Sequence, residues 1–281
     1  MLKWQPIQPF GAYVDADLSN PMSEADQAEL RNLLWDHGVL VFKNQALSHE
    51  RQADIVDIFD VVPRDSEGMH FVSTEQAKGG LGRGELTFHS DCSFMSEPRT
   101  VLSLHALDVV PGETSTQWTS AREAWKAMPA ELQSKLTDAK ALQVLPDPQF
   151  TDRLSTDILP EWLPHHWHDA LIAHPHTGER LPYIMAMQTT RIEGLSPADS
   201  NALIEQVLDI MYRKEAIYEH VWHNGDVVIW DNVATQHARG SLVGKGKRIL
   251  QKVQAGGESL YQWKHFRSPE LQAVLTREFN S

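Results

Sequence analysis

The 281-residue chain carries 25 Lys and Arg against 38 Asp and Glu, a formal net charge of −13 with neutral histidines, and 41% of its residues are hydrophobic. That balance suits a soluble globular protein with a real core and repels nucleic acid, since the densest basic stretch, GKGKR at 244–248, is too short to offset it. A single cysteine, Cys92, excludes an intramolecular disulfide, and there is neither a signal peptide nor an apolar run of roughly 18 residues, so a cytoplasmic protein with no membrane partner is expected.

Ser23, with Asp26 three residues on, caps a helix that runs to about Trp35 and ends near Gly38. The apolar run VLVF at 39–42 reads as a buried strand, and a second helix is expected from Ser48 to about Phe59. Residues 62–85 hold five glycines and no periodicity, which predicts a long irregular loop of the kind that serves as a lid. GELTFHSDCSF at 84–94 and RTVLSLHALDV at 99–109 read as strands, and Ser120 starts a short helix to about residue 128. Residues 145–170, rich in Pro, Asp, His and Trp, predict an insertion. SPADSNALIEQVLDIMY gives a helix over 197–212 with Ser as cap and Pro at its first position. A turn at Asn224-Gly225 leads into a strand through Trp230, a last strand covers 247–255, and a terminal helix covers 269–279. Short strands with long insertions predict a mainly β fold with flanking helices, a sandwich or jelly roll, over one domain of 1–281.

The chemistry starts at HSD. On a strand, side chains two apart share a face, so His89 and Asp91 would project together. A His-x-Asp arises by chance about once in a chain with 14 His and this many Asp, and alone it is more often a structural hydrogen bond. His237, just after a second strand, and Arg248, eleven residues on, change that reading. Two His and one carboxylate make the facial set of non-haem Fe(II) sites, and an arginine aimed at such a site can hold a carboxylate.

FHSDCSF, GETSTQW, HPHTGERLPY, IEGLSPADSNALIEQVL and WHNGDVVIWDNVATQHARG with KRILQK occur in this order. Together they resemble the taurine dioxygenase and 2,4-dichlorophenoxyacetate dioxygenase family of Fe(II)- and 2-oxoglutarate-dependent oxygenases. The resemblance implies a double-stranded β-helix (jelly roll), with His89, Asp91 and His237 as iron ligands and Arg248 on the distal carboxylate of 2-oxoglutarate. A threonine that assists Arg248 follows a Gly-Gly-Asp turn in the family. Here the turn reads PGETSTQW, so Thr114 and Thr116 compete. Thr116 is preferred, because it keeps the family's spacing to an aromatic residue, Trp118.

The arginine that family members acting on sulfonates or carboxylates often carry four residues further is Lys252 here. It keeps the charge of an anion-binding group without the planar grip, although a lysine that merely extends to solvent explains it as well. Glu85, before the first ligand, would instead suit a cation or donor. Met69, His70 and Phe71, in the loop ahead of HSD, are candidate pocket residues. Asp231 is expected to orient His237, Cys92 to face away from the metal, and His174 to be structural. The other clustered histidines, His165, His166, His168 and His176, lack a fixed geometry.

What the resemblance implies is an enzyme that uses O2 and 2-oxoglutarate to hydroxylate a small organic substrate, or to cleave it where the hydroxylated product is unstable. Asp91 argues against halogenation, and family members are commonly homodimers or tetramers. Two rivals stand: a metal-dependent hydrolase using the same three ligands, and a non-catalytic binding protein on a jelly roll. Arg248 and the threonines speak against the first, and the lack of a fourth ligand against the second.

Overall fold

The computed structural model describes residues 1–75 and 83–280. Strands β1 (Lys3–Pro6) and β2 (Ala12–Asp15) precede helix α1 (Glu24–His37), strand β3 (Val39–Phe42) and helix α2 (His49–Val56). Strands β4 (Met69–Ser73), β5 (Leu86–His89), β6 (Val101–Val109) and β7 (Ser115–Ser120) follow, then α3 (Ala121–Ala127) and α4 (Ala130–Leu136). Next come β8 (Lys140–Val144), β9 (His165–Asp169), β10 (Leu171–Ala173), β11 (Arg180–Pro182) and β12 (Thr189–Ile192). After α5 (Pro197–Met211) the chain forms β13 (Ile217–Val221), β14 (Val227–Asp231), β15 (Thr235–Arg239) and β16 (Arg248–Ala255), and ends on α6 (Pro269–Asn280).

The long helices start where the capping residues put them. Ser23, Ser48, Ser120 and Ser196 each accept a bond from the main-chain N–H three residues on, which satisfies a donor the helix itself leaves open. α1 stops at Gly38, whose φ of +75° closes its N–H on Leu34 O. The helix expected to reach Phe59 ends at Val56 instead, because Asp57 and Ile58 turn back on themselves.

Two sheets pack face to face as a jelly roll. The larger has the order β1-β2-β3-β14-β6-β16-β4, and the smaller β13-β7-β15-β5. Alternation along each strand sorts the side chains. In β14, Val227 and Ile229 face the helices α1 and α2, while Val228 and Trp230 face the smaller sheet. In β16, Val253 and Ala255 join the helix-side core, and Leu250 joins Trp118, Tyr218 and Trp230 between the sheets. The inner face of β16 therefore also carries Arg248 and Lys252. Three further strands (β12-β8-β9) and the hairpin β10-β11 form a flank with α3, α4 and α5.

Three expectations need correction. Residues 62–85 are not all irregular, since Met69–Ser73 is a strand paired antiparallel with β16, His70 opposite Lys252 and Phe71 opposite Gln251. Residues 76–82, the rest of the expected lid, lie outside the described residues. The strand read through 84–94 ends at His89; Asp91 and Cys92 lie in a turn, with Cys92 at φ +58°. The insertion at 145–170 also gains order at its end, where β9 pairs with β8.

Candidate metal and co-substrate site

β5 and β15 are neighbours in the smaller sheet, and their register sets His89 directly opposite His237. Cross-strand partners stand side by side on one face, which brings the two imidazole centroids to 4.1 Å. Asp91 reaches the same spot from the turn after β5. Its Oδ1 lies 3.3 Å from His89 Nε2 and 3.6 Å from His237 Nε2. The three ligating atoms all fall within 4.8 Å of one another, and no other group of three His, Cys, Asp or Glu does this among the described residues. His165, His166, His168, His174 and His176 form no such cluster.

Each ring is set for the task. His89 donates Nδ1–H to Thr87 O at 2.8 Å, which leaves the Nε2 lone pair turned to the site. His237 leans on Trp230, with centroids 4.9 Å apart, and its buried Nδ1 has no partner among the described residues. Burial holds His237 well below the ordinary imidazole range, helped by the neighbouring His89, so it stands neutral. Burial alone would raise the Asp91 carboxyl, but Lys252 and the two imidazoles outweigh it and hold the group well below its usual range. Lys252 Nζ is ion-paired with Asp91 Oδ2, and the lysine is 7% exposed. His70, opposite Lys252 on β4, is neutral as well; burial, reinforced by Lys252, pushes it down to about 3, and its Nδ1 is buried without a partner.

Arg248 shares the inner face of β16 with Lys252, four residues and therefore about 13 Å away along the strand. It is 2% exposed, and its Nε and Nη1 have no hydrogen-bond partner among the described residues. Burial and the nearby Arg239 lower it to about 9, still a cation at neutral pH. His237 lies opposite Trp118, so alternation puts Thr116 and Arg239 on the face that bears the ligand. Thr116 Oγ1 accepts a bond from Trp222 Nε1 at 3.0 Å, whereas the buried Thr114 Oγ1 has no partner.

Other candidates sit elsewhere. Glu85 is exposed. Met69 packs into the helix-side core and Phe71 lies 5.1 Å from the His49 ring on α2, so both face away from His70. Asp231 does not reach His237. Its Oδ2 accepts from His174 Nε2 at 3.0 Å and its Oδ1 takes the N–H groups of Val233 and Ala234. His174 in turn accepts from His176 N and Thr177 N, which makes it structural. Cys92 faces the core beside Phe94 and Met95, and burial pushes its thiol up to about 11. Two buried amides that the sequence did not single out, Asn232 and Gln188, contact the main chain of residues 90 and 91.

Two imidazoles and a carboxylate fit an Fe(II) ion that keeps open positions. A buried guanidinium with unpaired N–H groups fits the carboxylate of a co-substrate, because a cation left in that state is costly.

The profile of the taurine catabolism dioxygenase TauD, TfdA family matches residues 3–254. The chain is 27% identical over 267 residues to the alpha-ketoglutarate-dependent 2,4-dichlorophenoxyacetate dioxygenase of Cupriavidus pinatubonensis, covering 83% of this chain and 90% of that protein. It is 25% identical over 279 residues to the pentalenolactone F synthase of Streptomyces avermitilis, covering 88% and 91%. The crystal structure of AAD-2 in complex with Mn(II) and N-oxalylglycine has the same fold, with a TM-score of 0.78 at 23% identity over 92% of this chain and 98% of that one.

Proposed function

Because the chain belongs to the taurine catabolism dioxygenase TauD, TfdA family, we propose that His89, Asp91 and His237 hold its iron and that Arg248 and Thr116 hold its co-substrate. The chain is an Fe(II)- and 2-oxoglutarate-dependent dioxygenase that acts with O2 on a small organic substrate. That identity leaves no role for the hydrolase or binding-protein alternatives. The observation that carries the site assignment is the convergence of the three ligating atoms within 4.8 Å, two from the paired strands β5 and β15 and one from the turn after β5.

Bound iron and 2-oxoglutarate supply the oxidising chemistry, in which O2 is consumed and succinate, CO2 and a hydroxylated product are formed. The protein's share is placement. His89 presents Nε2 because Thr87 O fixes its tautomer. Arg248 offers two unpaired N–H directions to the distal carboxylate. Thr116, whose oxygen is occupied by the Trp222 N–H, keeps its hydroxyl proton for the same carboxylate. The wall of Trp118 and Trp230 excludes water from this end of the site.

The substrate's anionic group belongs at Lys252, with His70 beside it. An ammonium has three donors, and Asp91 engages one of them. The relative named for 2,4-dichlorophenoxyacetate takes an anion of this kind, which supports the reading. Where the attacked carbon also bears oxygen, nitrogen or sulfur, the hydroxylated product separates and cleavage results. Residues 1–281 act as one cytoplasmic dioxygenase domain, assembled as a homodimer or homotetramer, and light scattering on the purified protein measures the latter.

The test of the site is an anaerobic titration with Fe(II) and then 2-oxoglutarate, followed by the visible metal-to-ligand charge-transfer band. The band should form in the wild type and be lost in His89→Ala and Arg248→Ala. Stoichiometric iron with no band would overturn the co-substrate assignment. For the substrate, succinate formation should be stimulated by carboxylates or sulfur oxyanions and not by amines, and Lys252→Met should abolish that preference.

A further inference from the structure

β5 is an edge strand of the smaller sheet and stops at His89. Ser90 and Asp91 therefore have no strand to pair with, although their main-chain groups are buried at the metal site. Two side-chain amides stand in for the missing strand. Asn232, fully buried, accepts the Asp91 N–H on Oδ1 at 3.0 Å and donates from Nδ2 to Asp91 O at 3.0 Å. The same Nδ2 also reaches Arg99 O at 2.8 Å. Gln188 does the like one residue earlier, donating to Ser90 O at 3.0 Å and accepting from Ser90 N at 3.4 Å.

A carboxamide carries one donor and one acceptor side by side, as a peptide group does, so it can satisfy an N–H and a C=O of one residue together. A carboxylate of the same shape would repel the carbonyls of Asp91 and Arg99, and an alkyl group would leave both Asp91 groups unpaired. The orientation of Asn232 is fixed by its partners: a flipped amide would set N–H against N–H. Asn232 also sits in the turn that joins β14 to β15, and its own N–H is bonded to Thr100 O at 2.8 Å. Five residues on, β15 presents His237.

We infer that Asn232 is a positioning residue that locks the Asp91 main chain to the β14–β15 turn, and so sets the distance between the carboxylate and His237, with Gln188 bracing the other side. The inference rests on the assignment of Asp91 and His237 as metal ligands. It gives the amide a role in metal affinity, not only in stability.

The experiment uses full-length protein and Mn(II) as the probe, with the dissociation constant read by electron paramagnetic resonance, beside thermal unfolding of each metal-free variant. Asn232→Asp and the milder Asn232→Ser should weaken Mn(II) binding about 10- to 100-fold, the range expected when a group that orients a ligand is lost. Gln188→Ala should weaken it less. Gln52→Ala, which removes a buried amide bonded to Ser103 and Gln251 away from the site, should lower the melting temperature and leave Mn(II) affinity unchanged. Wild-type affinity in folded Asn232→Ser, or an equal loss in Gln52→Ala, would overturn the inference while leaving the triad standing. Wild-type protein whose Mn(II) affinity is insensitive to His89→Ala would overturn the triad, and the inference with it. If Asn232→Asp fails to fold, Asn232→Ser and Gln188→Ala decide the question.

Discussion

Arg248, a buried guanidinium with two nitrogens unbonded among the described residues, costs the fold free energy that a bound carboxylate would offset. Replacing Arg248 by Met should leave the fold intact, since an unpaired cation is removed from the interior, while 2-oxoglutarate binding weakens about 100-fold, the loss of a charge-assisted bond worth roughly 2–3 kcal/mol. Titration of the charge-transfer band reads this directly. Thr116→Val should weaken 2-oxoglutarate about 5-fold, for roughly 1 kcal/mol, and Thr114→Val should not; the reverse order would move the contact to Thr114, whose hydroxyl is the unpartnered one. At this scale the sequence was informative about residue types and less so about geometry. Strand parity placed Asp91 beside His89, but the strand ends at His89, and it is the turn after it that brings the two together. Asp231 looked like a partner for His237 because it is near in sequence, but His174 claims it from a distant hairpin loop. Asn232 lay inside the WDN motif with nothing to mark it, because its partner, the Asp91 main chain, is distant in sequence.

Among the elements, β9 shows how a pH dependence arises away from the metal. Its His168 donates Nε2–H to Ser93 O and Met95 O, both at 2.9 Å, tying the flank to the turn that follows Asp91. Burial, with His166 adding to it, lowers His168 to about 4 from 6.5. The unfolded chain therefore binds a proton that the folded chain refuses between those values. Stability rises with pH across that window and falls as the solution is acidified through it, by about 3 kcal/mol in all. Denaturant midpoints between pH 7 and pH 4 should drop less in His168→Gln, which keeps a donor and cannot protonate. The starts of α1, α2, α3 and α5 were legible because each rests on a local serine, whereas α4 follows Pro129 with no side-chain cap and gave no such signal; β3 and β14 were legible because their apolar runs are continuous. β4 was missed for a physical reason: Met69, His70 and Phe71 alternate but Val72 breaks the pattern, which leaves three residues too few to mark a strand, and it is pairing with β16 that makes it one.

For the molecule as a whole, stability concentrates where the two sheets meet. Leu250 is fully buried there among Trp118, Trp230 and Val228, so Leu250→Ala should cost about 2–5 kcal/mol in equilibrium unfolding and should loosen both sheets at once. The jelly roll could be argued from many short strands, but not the order of those strands, because nothing local to β3 says that it pairs with β14. That order has a consequence for the chain while it is being made. In the larger sheet β3 lies between β2 and β14, and β6 between β14 and β16, so strands from the first half wait on neighbours from the last quarter. At a ribosome's pace of roughly 5–20 residues per second, β3 and its fully apolar VLVF face stand unpaired on that side for on the order of tens of seconds. The nascent chain is thus most prone to aggregate before β14 and β16 emerge, and the same late stretch of chain delivers His237 on β15 and Arg248 on β16.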